Sequence, residues 1–225
     1  MVEQKKAIDI EELIHKVRKY TFLPTVKLRK IATILAELDE KKVPGAIVEC
    51  GVYKGGCSAF MASLSENRKV WLLDSFRGLP QPTKEDISKR RLGDPGRRTI
   101  KELIDDKPIQ PINWCIGTRE EVEHVMFDIA EIERSRVGIV EGWLQDTLPA
   151  FNPGSIAFLH IDVDWYESTK LCLEHLYDKI APGGYTGMDD YYYWKGSRLA
   201  LDQFLKNQPP AKLERSGSAV YWRVD

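Results

Sequence analysis

The chain has 225 residues, and its 33 basic and 34 acidic side chains leave a formal net charge of -1, a balance that disfavours nucleic acid or an anionic membrane as a partner. The length suits one α/β domain, and no apolar run approaches the roughly 18 residues of a membrane span. The four cysteines lack a Cys-x-x-Cys spacing, and the charged N-terminus lacks the apolar core of a signal peptide, so we expect a single cytoplasmic domain over residues 1–225.

Two amphipathic helices are predicted before the first strand. Apolar residues recur at helical spacing from Ile10 to Val17, and again from Leu28 to Leu38 after the break at Pro24. Residues 1–44 are therefore expected to form an N-terminal helical segment. It carries more apolar positions than one edge of a sheet obviously needs, which favours self-association.

The stretch IVECGVYKGGCS, from Ile47 to Ser58, predicts a buried strand that turns sharply into a helix. Its glycines, Gly51, Gly55 and Gly56, would let the backbone approach a ligand closely. The pattern is E-x-G-x-x-x-G-G rather than the dinucleotide pattern G-x-G-x-x-G. A carboxylate at Glu49 would repel a pyrophosphate but suit a cationic ligand, of which S-adenosylmethionine is the common one in such folds. The alternative is a plain strand, turn and helix without a ligand.

The second predicted strand, VWLLD at 70–74, is continuously apolar and should be covered on both faces. It ends in Asp74, 23 positions after Gly51, where an acidic residue commonly holds a ribose diol. The alternative for Asp74 is an ordinary cap or turn residue.

Residues 81–111 are rich in charges and prolines and show little apolar periodicity, which indicates a long loop or lid. Five basic residues within it could steer an anionic acceptor, although such a run is most often a solvated face: Lys89, Arg90, Arg91, Arg97 and Arg98. A helix is then predicted from Thr118 to Ala130, with Thr118 and Glu121 as a capping box.

The rest of the chain alternates strands with helices. Strands are predicted at 137–140, 156–162, 185–189 and 219–224, and helices at 166–180 and 198–206, the former ended by PGG at 182–184. This alternation predicts a doubly wound, mostly parallel sheet whose last strand pairs antiparallel at or near an edge.

Two of these strands end in acids, Asp162 with Asp164 and Asp189 with Asp190. The carboxyl ends of strands in an open α/β sheet share one rim, so these acids should converge beside the glycine turn. Close carboxylates repel each other, which a divalent cation relieves, and oxygen ligands favour magnesium or calcium over zinc. Helix caps and salt bridges are the alternative. His160 is expected to be packed and hydrogen-bonded rather than a ligand.

Five motifs in order, PGAIVECGVYKGGCS, LLDSFRGLP, GWLQDTLP, LHIDVDWYEST and PGGYTGMDDY, resemble the macrocin O-methyltransferase (TylF/MycF) family. Members of that family depend on magnesium and use S-adenosylmethionine to methylate sugar hydroxyls in antibiotic pathways. The resemblance covers about residues 20–206. It implies a Rossmann-like class I methyltransferase sheet of seven strands, S-adenosylmethionine and Mg²⁺ or another divalent cation as cofactors, and a homodimer or higher oligomer.

The resemblance also implies roles for individual residues. Glu49 would meet the amino-acid part of the cofactor, Asp74 the ribose, and the segment 143–145 the adenine. The full cofactor set that it implies is Glu49, Gly51, Tyr53, Gly55, Ser58, Asp74, Ser75, Trp143, Leu144, Gln145 and Asp162, and the metal set is Asp162, Asp189 and Asp190. The more distant catechol O-methyltransferases have a lysine three residues after the first metal aspartate, where this chain has Trp165.

We therefore expect an O-methyltransferase that uses S-adenosylmethionine and a divalent metal, and acts on a sugar or a sugar-containing natural product. A phenolic acceptor stays open. The missing dinucleotide pattern disfavours an oxidoreductase, and the paired aspartates disfavour a non-catalytic binding protein. The acceptor proton should leave to Asp162, to Asp164 or to water. Asp162 is favoured, because a strand tip is rigidly held and Asp164 is a candidate cap for the helix near Tyr166.

Overall fold

A seven-stranded sheet lies at the centre of the computed structural model, which describes residues 9–88 and 114–225. The strands are β1 Ala46–Cys50, β2 Val70–Asp74, β3 Val137–Glu141, β4 Ile156–Ile161, β5 Ile180–Met188, β6 Glu214–Ser216 and β7 Ala219–Arg223. Their order is β3-β2-β1-β4-β5-β7-β6, with parallel pairing from β3 to β5 and antiparallel pairing of β7 with β5 and β6. This confirms the predicted doubly wound, mostly parallel sheet.

Helices cover both faces of the sheet. They are α1 Ile10–Val17, α2 Thr25–Glu40, α3 Gly56–Leu64, α4 Arg119–Glu123, α5 Leu144–Thr147, α6 Tyr166–Leu176 and α7 Lys195–Leu205. One apolar cluster lies under α1, α2 and α3 and includes Ile47, and the other lies under α6 and α7 and includes Val48. Successive strand residues thus enter opposite layers, as the pleat requires, which explains why the central strands are apolar throughout.

The helix predicted at 166–180 is shorter than expected, and the PGG motif does not end it. The α-helix stops at Leu176, a 3-10 turn follows at Tyr177–Lys179, and Ile180 already begins β5. The Gly183 amide donates to the Val224 carbonyl (2.7 Å) and the Val224 amide donates to the Gly184 carbonyl (2.8 Å). These bonds hold the PGG motif beside the end of β7. The motif is therefore part of β5, although Pro and Gly usually favour a turn.

The helix predicted from Thr118 begins as expected but changes form. The Thr118 hydroxyl accepts from the Glu121 amide (3.1 Å), and the Glu121 carboxylate accepts from the Thr118 amide (3.0 Å), which is the predicted capping box. The α-helical part ends at Glu123, and a π-helix follows at His124–Ile129. Its wider turn is visible in the bond from the Ala130 amide to the Val125 carbonyl, five residues back (2.9 Å).

The predicted lid at 81–111 lies largely outside the described residues, and so do its basic residues Lys89, Arg90, Arg91, Arg97 and Arg98. Within the described ranges, no helix is long and apolar enough to cross a membrane. All four cysteines are free, so the described sheet and its helices are held together without disulfides.

Candidate active site

A cavity of about 570 Å³ opens at the carboxyl ends of the central strands, where the sequence predicted a ligand crevice. It is lined by most of the predicted residues, namely Gly51, Tyr53, Asp74, Ser75, Trp143, Leu144, Gln145, Asp162, Asp164, Asp189 and Asp190. The glycine turn, the end of β2 and both pairs of rim acids therefore face one cavity.

Three of the predicted cofactor residues, Glu49, Gly55 and Ser58, are not among the described residues that line this cavity. Glu49 is 1% exposed and accepts a hydrogen bond from the Ser58 hydroxyl. Strand pairing sets Glu49 opposite His160, whose Nδ1 lies 3.1 Å from the Glu49 carboxylate and 3.9 Å from the Cys57 sulfur. His160 is thus packed and hydrogen-bonded, in line with the expectation from the sequence. A direct contact between Glu49 and a cofactor remains a prediction.

The glycine turn after β1 packs directly against the residue that follows β4. Gly51 has φ of +84°, and a Cβ atom there would lie 1.9 Å from the Asp162 carbonyl oxygen, so that only glycine fits. In the same place the Asp162 amide donates to the Cys50 carbonyl (2.8 Å). The turn after β1 and the first rim acid therefore form one rigid unit.

Asp74, at the end of β2, braces the same turn. Its carboxylate accepts from the backbone amides of Val52 (2.7 Å), Tyr53 (3.2 Å) and Phe76 (2.8 Å). Burial raises the pKa of Asp74, while these three bonds oppose the rise. Asp74 therefore shapes the loop as well as facing the cavity.

The rim acids form a tight cluster with one lysine. Carboxylate oxygens of Asp162, Asp164 and Asp190 all lie within 4.8 Å of one another. The fourth acid, Asp189, accepts a hydrogen bond from the Lys27 ammonium group. Burial, followed by the neighbouring carboxylates, raises the pKa values of Asp162 and Asp164 well above the usual range and also raises that of Asp189.

The cluster has the chemistry of a divalent cation site. Its donors are carboxylate oxygens, which suit Mg²⁺, and a dication would offset their mutual repulsion. Asp164 and Asp190 have φ of 61° and 57°, in the left-handed region that aspartate tolerates better than most residues. The arrangement differs from the predicted ligand set in one respect, because Asp164 joins Asp162 and Asp190 here while Asp189 is paired with Lys27.

Lys27 was not predicted as a site residue, although the sequence contains a signal for it. Positions 27, 31, 34 and 38 repeat at helical spacing, and the other three are apolar, so Lys27 occupies the buried stripe of α2. A lysine at such a position is almost never fully buried unless it is paired.

The interpretation of Asp164 as a helix cap is wrong. The first amide of α6, that of Tyr166, donates instead to the carboxylate of Asp86 (2.8 Å). The other oxygen of Asp86 accepts from the backbone amide (2.8 Å) and the hydroxyl (3.0 Å) of Thr83. Asp86, from the loop after β2, thus replaces Asp164 at the helix terminus, and the Asp164 carboxylate lies with those of Asp162 and Asp190.

Aromatic side chains form a second part of the cavity lining, the aromatic wall, which includes Phe22, Tyr53, Trp114 and Trp194. Trp114 and Trp194 meet edge to face at 6.0 Å, and Trp194 also packs on Trp165 at 5.3 Å. Phe22 stacks on Tyr53 at 4.4 Å. Trp165, at the position of the lysine in the catechol enzymes, is buried and donates its indole N–H to the Pro80 carbonyl (2.8 Å), which is a packing role.

Comparison with known proteins gives a consistent result. The family model for macrocin O-methyltransferase (TylF) matches residues 16–224. The demethyldecarbamoylnovobiocin O-methyltransferase of Streptomyces niveus is 29% identical over 213 residues, covering 91% of this chain and 75% of that protein. The 8-demethyl-8-(2,3-dimethoxy-alpha-L-rhamnosyl)-tetracenomycin-C 4'-O-methyltransferase of Streptomyces olivaceus is 31% identical over 202 residues, covering 86% and 69%. The solved structure of the O-methyltransferase NovP superposes with a TM-score of 0.74 at 27% identity, covering 91% and 81%.

Proposed function

Since the chain belongs to the macrocin O-methyltransferase family, we propose that it transfers the methyl group of S-adenosylmethionine to a hydroxyl of a sugar or a sugar-containing natural product. The observation that carries this proposal is the contact between Gly51 and Asp162. It joins the glycine turn, which would bind the methyl donor, to the acid cluster, which would receive the acceptor, within one cavity.

We assign the cofactor to the side of the cavity lined by β1, β2 and the segment after β3. Asp74 and Ser75 would bind the ribose, and the segment 143–145 would enclose the adenine. The sulfonium of S-adenosylmethionine is cationic, and the excess of carboxylates in this cavity favours it over the neutral product. The methyl group is the only part of the cofactor that the reaction consumes.

Asp74→Ala is expected to weaken S-adenosylhomocysteine binding by roughly tenfold or more, because hydrogen bonds to a charged carboxylate contribute about 1.5 to 3 kcal/mol each. Isothermal titration calorimetry measures this affinity directly. Glu141→Ala is the matched control, since Glu141 is exposed and pairs in register with Asp74 at the end of the next strand. Unchanged affinity in Asp74→Ala would refute the ribose assignment, and a thermal melt would show whether the loss comes from the turn that Asp74 braces.

We assign the acceptor to the rim acids and the aromatic wall. Asp162, Asp189 and Asp190 would hold a divalent cation, which supplies Lewis acidity that lowers the pKa of the acceptor hydroxyl. We assign the proton of that hydroxyl to Asp164 and not to Asp162, which the sequence favoured, because Asp162 would be a metal ligand and Asp164 does not cap α6. Positioning of the oxygen in line with the methyl group then carries much of the acceleration.

The aromatic wall favours an acceptor with a flat apolar face, which both sugar rings and phenols offer. The sugar is supported by the relative from Streptomyces olivaceus, whose name specifies a rhamnosyl acceptor. A phenol or catechol is the second candidate, supported by the aromatic side chains of Phe22, Trp114 and Trp194 in the lining. Incubation with labelled S-adenosylmethionine and a panel of nucleotide-linked sugars, glycosides and catechols tests the two against each other, and label in the catechols alone would reject the sugar.

We also propose that the chain forms a homodimer or a larger oligomer through its N-terminal helices. Ile10 is 38% exposed and Val26 is 53% exposed, although both lie in helices that bury their other large apolar residues. Light scattering at micromolar concentration is expected to give at least twice the chain mass of 25.8 kDa. Val26→Glu should lower that mass, because it places a charge on the contact surface without touching the core, and a monomeric wild type would contradict the proposal.

A further inference from the structure

We propose that Lys27 is a positioning residue that competes with the divalent cation for the acid cluster and thereby sets the metal affinity of the site. This inference rests on the metal role proposed above for Asp189. Lys27 lies in helix α2 and has no side-chain oxygen that could bind a metal, so its effect on metal affinity would come from its charge.

The placement of Lys27 is well defined. It is 4% exposed, its ammonium group donates to Asp189, and the same group lies 3.8 Å from Asp190. Its aliphatic stem packs against the turn between β6 and β7, where a Cβ atom on Gly217 would lie 3.5 Å from the lysine Cε. The side chain therefore reaches the acids along a packed path and has little room to swing away.

Lys27 is placed as the cation of a buried ion pair, because its ammonium group donates to Asp189 and lies 3.8 Å from Asp190. Burial alone would lower its pKa, but the charge of Asp189 and the hydrogen bond to it reverse this effect, with smaller contributions from Asp190 and Asp162, and the pKa is raised. An ammonium group donates hydrogen bonds and has no lone pair for a proton, so this ion pair does not offer a base. The catechol enzymes have a lysine at the position of Trp165. Lys27 does not replace that lysine as a base.

The charge balance shows why Lys27 matters for a cation. The ammonium group of Lys27 contacts Asp189 and Asp190, and Asp190 in turn lies in the cluster with Asp162 and Asp164, which makes four carboxylates. With all four carboxylates ionised, the cluster keeps one net negative charge when it holds both Lys27 and a dication, and two when it holds the dication without Lys27. The lysine also occupies one oxygen of Asp189 that a metal would otherwise share. Both effects oppose metal binding, and charges a few ångströms apart in a buried site interact strongly.

Removing the charge should therefore strengthen metal binding. We expect Lys27→Met to raise the affinity for Mg²⁺ by about tenfold or more in a calorimetric titration of the full chain stripped of divalent cations. The increase in melting temperature that saturating Mg²⁺ produces should also be larger in this variant than in the wild type. Lys27→Arg keeps the charge and should keep the affinity near the wild-type value.

Two further variants make the test specific. Lys30→Met removes a lysine nearly one turn along the same helix, where the partner is Glu214 on β6, and should leave the Mg²⁺ affinity unchanged. Lys27→Gln keeps a donor for Asp189 without the charge and should also bind Mg²⁺ more tightly, so it serves as the test if Lys27→Met does not fold.

The outcomes separate this inference from the proposed function. Variants without the charge that bind Mg²⁺ no more tightly than the wild type, whether or not the wild type binds it, overturn the role of Lys27. Weaker binding would likewise overturn it, because the lysine would then support the site instead of opposing it. Methyl transfer by the wild type in a chelator would refute the metal role in catalysis, yet it would leave the comparison of affinities intact.

Discussion

Asp162→Asn is expected to lower the rate of methyl transfer by about a thousandfold, because the Lewis acidity of a divalent cation is worth several kcal/mol in such reactions. Asp162 belongs to the predicted ligand set and also to the cluster within 4.8 Å. Its backbone is fixed by the Cys50 carbonyl and by the close approach of Gly51. An amide in place of this carboxylate would remove a charged ligand while keeping its shape, so we expect cofactor affinity to change little.

Initial rates with labelled S-adenosylmethionine measure this loss, and calorimetry with S-adenosylhomocysteine measures the retained affinity. Asp178→Asn is the control, since Asp178 is exposed in the turn before β5, at the opposite end of the strands, and should leave the rate unchanged. Excess EDTA should abolish activity as completely as Asp162→Asn does, and added Mg²⁺ should restore it. Full activity in EDTA would contradict the metal role.

Strands were predictable where the sheet itself dictates the sequence. A strand covered on both faces must be apolar throughout, and VWLLD at 70–74 meets that condition and coincides with β2. The strand β6, Glu214–Ser216, was missed because three polar residues near the sheet edge carry no such pattern. The PGG motif was wrongly predicted to end a helix, because its glycines pair with Val224 at the end of β7 instead of forming a turn.

Site residues at strand ends were predictable, whereas those that depend on the direction of a side chain or on a distant contact were not. Asp162 and Asp189 directly follow strand ends, so topology alone brings them to the rim. Glu49 lies inside β1, where the pleat turns its side chain toward α3 and Ser58. Lys27 depends on a contact between residues 162 positions apart, and no local pattern specifies its partner.

Asp164→Asn is expected to lower turnover by about a hundred- to ten-thousandfold, the usual range for loss of a general base. Asp164 does not cap α6, because Asp86 accepts from the first amide of that helix, and the Asp164 carboxylate lies in the acid cluster instead. Burial raises the pKa of Asp164 well above the usual range, with Asp190 adding to the effect. A dication held by the neighbouring acids would oppose this rise and favour the ionised carboxylate, which is the form that accepts a proton.

Two measurements on one pair of variants distinguish a base from a metal ligand. Asp164→Asn should lose turnover and keep most of its Mg²⁺ affinity, whereas Asp189→Asn should lose Mg²⁺ affinity and regain part of its turnover at saturating Mg²⁺. The reverse pattern would assign Asp164 to the metal and would explain why its oxygens lie with those of Asp162 and Asp190. An active Asp164→Asn enzyme would instead transfer the base role to Asp162 or to water. The decisive quantity is the ratio of lost turnover to lost metal affinity, because a residue that acts only on the proton changes the first without the second.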